Sequence, residues 1–168
     1  QDEIGWPSDV AIFDTDAMLL VETSRKAGPM MLIRHPGYRA PILATSLGQV
    51  YLAFSPTEER EGVLAREAEN LDPWNDIARD PAAAEKFFDD IRKRGYAIMH
   101  PDYSRIEYRH TMTSVGVPIM AVGEVFASIN VLYLKKALTP EQAVRTMLKP
   151  LQATAKKISE ELARRSHK

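Results

Sequence analysis

Residues 124–134 read EVFASINVLYL, and the alternation within them limits the fold more than any other feature of the chain. Successive side chains of an extended strand point to opposite faces. Val125, Ala127, Ile129, Val131 and Tyr133 therefore share one face, which is apolar throughout. Phe126, Ser128, Asn130, Leu132 and Leu134 share the other, which sets Ser and Asn among apolar residues. The run TSVGVPIM precedes it across Ala121-Val122-Gly123, so the two form a hairpin. On this partner Ser114, Gly116 and Pro118 fall on one face, a second cluster of small and hydroxyl-bearing residues. A cavity bounded by such faces would be mostly apolar with a few placed hydrogen-bonding groups, the usual make-up of a small-molecule pocket.

The rest of the chain fits around this hairpin. SDVAIFD, AMLLVET and MMLIR are short apolar runs separated by Asp14-Thr15-Asp16 and Lys26-Ala27-Gly28-Pro29, and they predict three strands in meander order. A loop, HPGYRAP, leads to a helix opening at Thr45-Ser46. Ser55-Pro56 followed by Glu58 and Glu59 predicts a second helix with Ser55 as its N-cap. Asp80-Pro81 starts another, with Ala84, Phe87, Phe88 and Ile91 on one face and Gly95 as a left-handed stop. YAIMH reads as a short strand. Thr139-Pro140-Glu141-Gln142 is a capping box for a last helix whose apolar stripe runs Val144, Leu148, Leu151, Ala155, Ile158 and Leu162, with a kink expected at Pro150. The order predicts an α+β domain: an antiparallel sheet with helices packed on it and a long C-terminal helix.

Composition narrows the functional classes. The 168 residues suit one domain, and 22 Lys+Arg against 23 Asp+Glu give no global pull toward nucleic acid or anionic lipid. Without Cys, thiol catalysis and Cys-type metal centres are excluded. No apolar run approaches the ~20 residues of a membrane span, so the chain is expected to be soluble, cytoplasmic and without a membrane partner. It begins at Gln1, which suggests a fragment or processed product. Nucleophile-elbow, phosphate-loop and paired-His motifs are missing, so neither catalytic residues nor a cofactor is expected. His100, Asp102, Glu107 and His110 could gather as metal ligands of a metal-assisted enzyme, although a solvated polar loop explains them more simply.

The helix start carries a further signal. Gly48 lies within the first turn, where Gly costs roughly 0.5–1 kcal/mol against Ala. Unpaired N–H groups at a helix start suit a carboxylate or phosphate, and small residues would keep the approach open. Ordinary capping by Thr45 or Ser46 and close packing at Gly48 are the structural alternatives. Arg34, Arg39, Arg105 and Arg109, in flanking loops, could supply a fork for a carboxylate.

The run IRHPGYRAPILATSLGQVYLAF resembles the stretch of IclR-type transcriptional regulators in which Arg-x-Gly leads through Pro-Leu to a Thr-Ala-x-Gly-Lys-Ala helix start. RGYAI, a Glu-bearing loop, SVGVPIM, a Gly-containing hairpin, FASINVL and LTPEQA continue the pattern in order over nearly the whole chain. The match is to the C-terminal effector-binding domain, and within the family it is most similar to activators of phenylpropionate and aromatic-acid catabolism. The resemblance implies a GAF-like fold over residues 1–168, a small-molecule effector of the organic or aromatic acid class, and a homodimer or dimer of dimers. DNA would be bound only through an N-terminal winged helix-turn-helix domain absent from this chain. Family pocket positions fall on Ser46, Leu47, the Ser104 to Glu107 segment, Ser114, Asn130 and Leu132, with Arg39, Arg105 and Arg109 as flanking cations. Ser46 stands where Ala or Gly is usual, Gln49 for Lys, and Leu132-Tyr133-Leu134 for Ser-Gly-Pro. Glu107 lies between Arg105 and Arg109 where paired acids are common, and this more cationic segment favours an acid as ligand.

Overall fold

The computed structural model describes residues 5–25 and 34–167. Six strands form one antiparallel sheet: β1 (Ser8–Asp14), β2 (Ala17–Thr23), β3 (Arg39–Pro41), β4 (Ala97–Ile98), β5 (Met112–Ala121) and β6 (Glu124–Leu134). Their spatial order is β3-β2-β1-β6-β5-β4. The helices are α1 (Ser46–Phe54), α2 (Thr57–Glu67), α3 (Pro81–Arg94), α4 (Pro101–Tyr108) and α5 (Pro140–Ser166), with a 3-10 helix at Pro73–Arg79 between α2 and α3.

The central hairpin forms as expected. Val122 and Gly123 both have positive φ (52° and 78°), which gives the two-residue turn whose twist matches that of the strands. The register shifts between Ile119 and Met120, where Ile119 faces Ala127 and Met120 faces Val125. Phe126 is the extra residue of this bulge. It is half exposed, so it lies outside the polar face on which simple alternation places it.

Other boundaries differ from expectation for local reasons. Most of the expected strand MMLIR lies outside the described residues; the described third strand is Arg39–Pro41, which pairs with Ala17–Leu19 at the sheet edge, where a proline is tolerated. Ser55 closes α1 rather than opening α2, because its Oγ donates to the Leu52 carbonyl at 2.8 Å. Residues 101–108 form a helix, not a loop: Pro101 starts it, and His100 Nδ1 accepts from the Asp102 N–H at 3.1 Å. α3 begins and ends as predicted, with Asp80 accepting from the Ala83 N–H and Gly95 at φ 85°. α5 opens with its capping box and runs through Pro150. Its buried line is Ala143, Met147, Leu151 and Ala155, while Val144, Leu148, Ile158 and Leu162 flank it half-buried.

The sheet has a core on each side. Val115, Val117, Ile119, Ala127, Ile129, Val131 and Tyr133 pack against α5. On the opposite side lie Ala11, Met18, Leu20, Met112 and Leu132, covered by Leu47, Val50, Phe88, Tyr103 and Tyr108 from α1, α3 and α4.

Candidate functional site

The start of α1 sits directly on β5. A Cβ at Gly116 would lie 2.8 Å from the Ser46 carbonyl oxygen, so only Gly allows this approach. Ser46 and Ser114 are both buried, and their hydroxyls meet at 2.6 Å. Gly48 serves packing as well: a Cβ there would come within 1.9 Å of the Ile42 carbonyl oxygen. The helix cap is internal. Thr45 Oγ1 accepts from the Gly48 N–H at 3.2 Å and donates to the Pro41 carbonyl at 2.9 Å. Gln49 Nε2 donates to the Leu43 carbonyl at 3.1 Å, which ties the preceding loop to the helix. The glycine is thus explained by backbone packing; an opening for a ligand is not needed to account for it.

Beside this contact the sheet buries more polar atoms. Asn130 Oδ1 accepts from the Asp9 N–H at 2.8 Å. Ser128 Oγ is buried and has no hydrogen-bond partner, an arrangement that native interiors seldom leave uncompensated. Leu47 and Leu132 share the surrounding core. Of the predicted positions, Ser46, Leu47, Ser114, Asn130 and Leu132 therefore all belong to the buried polar face or the core that encloses it.

The Asp9 carboxylate leads to a network that sequence reasoning missed. Asp9 is fully buried, and its oxygens accept from Thr23 Oγ1 at 2.6 Å and Arg25 Nη2 at 2.6 Å. Arg25 Nη1 also donates to the Tyr108 hydroxyl at 2.9 Å. Nothing short-range links residues 9, 25 and 108; the acid within an otherwise apolar strand start was the one available hint. Burial pushes the Tyr108 and Tyr103 phenols up, so both stay neutral hydroxyls.

The rim is aromatic and cationic. The Arg34 guanidinium lies 4.1 Å from the Tyr38 ring centroid, and its Nη2 donates to Glu107 Oε2 at 3.1 Å. The Tyr38 and Tyr103 hydroxyls are 3.1 Å apart, and Tyr103 meets Trp74 edge to face. Ser104 is buried and donates to the Met112 carbonyl, fastening α4 to β5. The other candidate cations are directed elsewhere. Arg39 pairs with Asp14 and Asp16 at the β1–β2 turn. Arg105 pairs with Asp102 on its own helix at 3.3 Å, and Arg109 is exposed with a left-handed backbone at φ 52°.

The alternative metal set is not assembled. Among the described residues, no group of three or more His, Asp or Glu side chains is placed to hold a metal ion. His100 caps α4, with its pKa lowered by burial; Glu107 faces Arg34; and His110 is exposed. Nor, among these residues, is any helix long and apolar enough to cross a membrane.

A six-stranded antiparallel sheet with a long C-terminal helix on one face, and short helices over a buried polar patch on the other, defines a GAF-like α+β domain. Residues 2–160 match the family model of the bacterial transcriptional regulator IclR C-terminal domain, and the chain belongs to this family. Solved structures agree with the fold. The Thermotoga maritima IclR aligns with a TM-score of 0.78 at 22% identity, over 96% of this chain and 63% of that one. An IclR homolog from Microbacterium hydrocarbonoxydans, complexed with 4-hydroxybenzoate, gives 0.74 at 23% identity, over 96% and 62%. A double mutant of the PobR inducer-binding domain from Acinetobacter, complexed with 3-hydroxybenzoic acid, gives 0.71 at 21% identity, over 92% and 87%. The chain thus spans under two thirds of the Thermotoga and Microbacterium proteins.

Proposed function

We propose that this domain senses an organic acid, aromatic in class, on the polar face of the sheet, and that binding controls a transcriptional regulator of which it is the effector domain. The observation that carries this reading is the set of buried polar atoms gathered under α1 on one face of the sheet: the Ser46–Ser114 hydroxyl pair, Asn130, and Ser128 Oγ without a partner. Buried hydroxyls held only by one another can exchange that bond for a ligand oxygen at little net cost. The aromatic rim of Tyr38, Tyr103 and Tyr108, with Arg34, suits a ring bearing a carboxylate. Two structural relatives are complexed with hydroxybenzoic acids, which supports the same class.

In the longer protein, an N-terminal winged helix-turn-helix domain would read DNA, and a homodimer or dimer of dimers would set the spacing of two such readers. The effector would favour one arrangement of the paired domains, a population shift that changes operator affinity. The domain performs no catalysis of its own in this account, and acts in the cytoplasm.

A thermal-shift titration of the chain with 4-hydroxybenzoate, benzoate and 3-phenylpropionate tests the reading. A ligand bound only to the folded state at a hundred times its Kd adds about 2.7 kcal/mol, a shift of several degrees. Ser46→Ala, which removes one of the two paired hydroxyls without adding volume, should diminish the shift while the domain stays folded. No saturable shift with any acid, or an undiminished shift in S46A, would contradict the proposed site.

A further inference from the structure

Arg34 is the one predicted cation drawn into the aromatic rim, with its side chain only 14% exposed. Its guanidinium carbon lies 4.1 Å from the Tyr38 ring centroid. The Nε and Nη2 hydrogens of an arginine point side by side and form the edge that grips both oxygens of a carboxylate. Here that edge is half used: Nη2 donates to Glu107 Oε2 at 3.1 Å, while Nε is buried with no acceptor. A buried guanidinium N–H left without a partner is costly, and a single-point contact to a carboxylate that is itself 37% exposed is weak. The pair is therefore less favourable than a two-point pair with an incoming carboxylate would be.

We infer that Arg34 is the carboxylate-specificity residue of the sensor and that Glu107 is a built-in competitor occupying half of its fork until an acid displaces it. This rests on the effector reading above. Glu107 occupies one donor of the ionised arginine through its contact with Nη2, and its departure releases the last turn of α4, whose next residue, Tyr108, is held by Arg25. A neutral analogue gains nothing from the exchange, because it cannot use both donors as a carboxylate does.

Calorimetric titration of the 168-residue chain with 4-hydroxybenzoate and with its neutral analogue, 4-hydroxybenzamide, separates the possibilities. Glu107→Gln should bind the acid about tenfold more tightly than the unaltered chain, with the amide changed less than about twofold, since a charge-assisted two-point contact then forms without competition. Arg34→Gln should weaken the acid about tenfold or more and leave the amide alone; Arg34→Lys should fall between, keeping charge but losing the fork. Equal or weaker acid binding in E107Q, or equal losses of acid and amide in R34Q, would overturn the inference. Acid binding that weakens in S46A but ignores both Arg34 and Glu107 would overturn it while leaving the effector site standing. Failure of every variant and the unaltered chain to bind any acid would overturn both.

Discussion

The two faces of the β5–β6 hairpin are built from the same strands yet solve different problems. On the α5 side the buried positions are mainly apolar, Val115, Val117, Ile119, Ala127, Ile129 and Val131 meeting Ala143, Met147, Leu151 and Ala155, with the Tyr133 hydroxyl buried there without a hydrogen-bond partner. On the α1 side, at the neighbouring positions of each strand, Ser114, Gly116, Ser128 and Asn130 are covered by α1, which approaches β5 closely because Gly116 lacks a side chain. The α1 side gathers small polar groups, with a hydroxyl pair at Ser46 and Ser114 and the Asn130 amide beside it, while the α5 side holds a single large residue, Tyr133, whose ring fills the core. That concentration marks the α1 side as the part of the sheet that can exchange partners.

The largest expected effect probes the polar side. Asp9→Asn removes the charge facing Arg25 in a pair whose side chains are 0% and 5% exposed, and should cost about 3–5 kcal/mol in chemical denaturation. Leu151→Ala, on the opposite face, should cost about 2–5 kcal/mol by opening a cavity under α5. The two should differ in consequence: L151A is expected to keep its affinity for acids once the loss of stability is allowed for, whereas D9N should not, because the Asp9 N–H and carboxylate connect Asn130 to Arg25.

Smaller changes sharpen the contrast. Ser128→Ala deletes a buried hydroxyl that has no partner, so it should leave stability unchanged or raise it by about 1 kcal/mol while lowering acid affinity. A hydroxyl whose loss stabilises the empty domain but harms binding is one kept for its ligand. The smallest effect is on pH. Burial lowers the His100 pKa below its ordinary 6.5, so the unfolded chain takes up that proton first and stability falls as pH drops below about 6.5. His100→Asn keeps an acceptor for the Asp102 N–H and should flatten that part of the profile in melts from pH 7 to 5.

What could be read from the sequence divides along similar lines. Regular alternation, a capping box and a Gly stop report local geometry, so the hairpin, α3 and the start of α5 were legible. The bulge at Phe126 was not, because an extra residue in one strand leaves no mark on a period-two pattern. α4 was hidden because its helical signal rests on a histidine acceptor and two tyrosines directed inward, not on an apolar stripe. In the site, Ser114 and Asn130 followed from face assignment and Ser46 from the helix start; Arg25 did not, since its partners Asp9 and Tyr108 lie 16 and 83 residues away. Arg39 misled for the same reason, since Asp14 and Asp16 claim it from the β1–β2 turn, whereas Arg105 pairs locally with Asp102, a partner three residues away that becomes its neighbour only once this segment is helical.

The central claim is that the two faces have different jobs, and hydrogen–deuterium exchange of the chain with and without saturating 4-hydroxybenzoate tests it most directly. The account predicts added protection in residues 45–50, 101–108 and 112–116, with residues 143–155 of α5 unchanged. Protection centred on α5, or none anywhere at saturating acid, would contradict it.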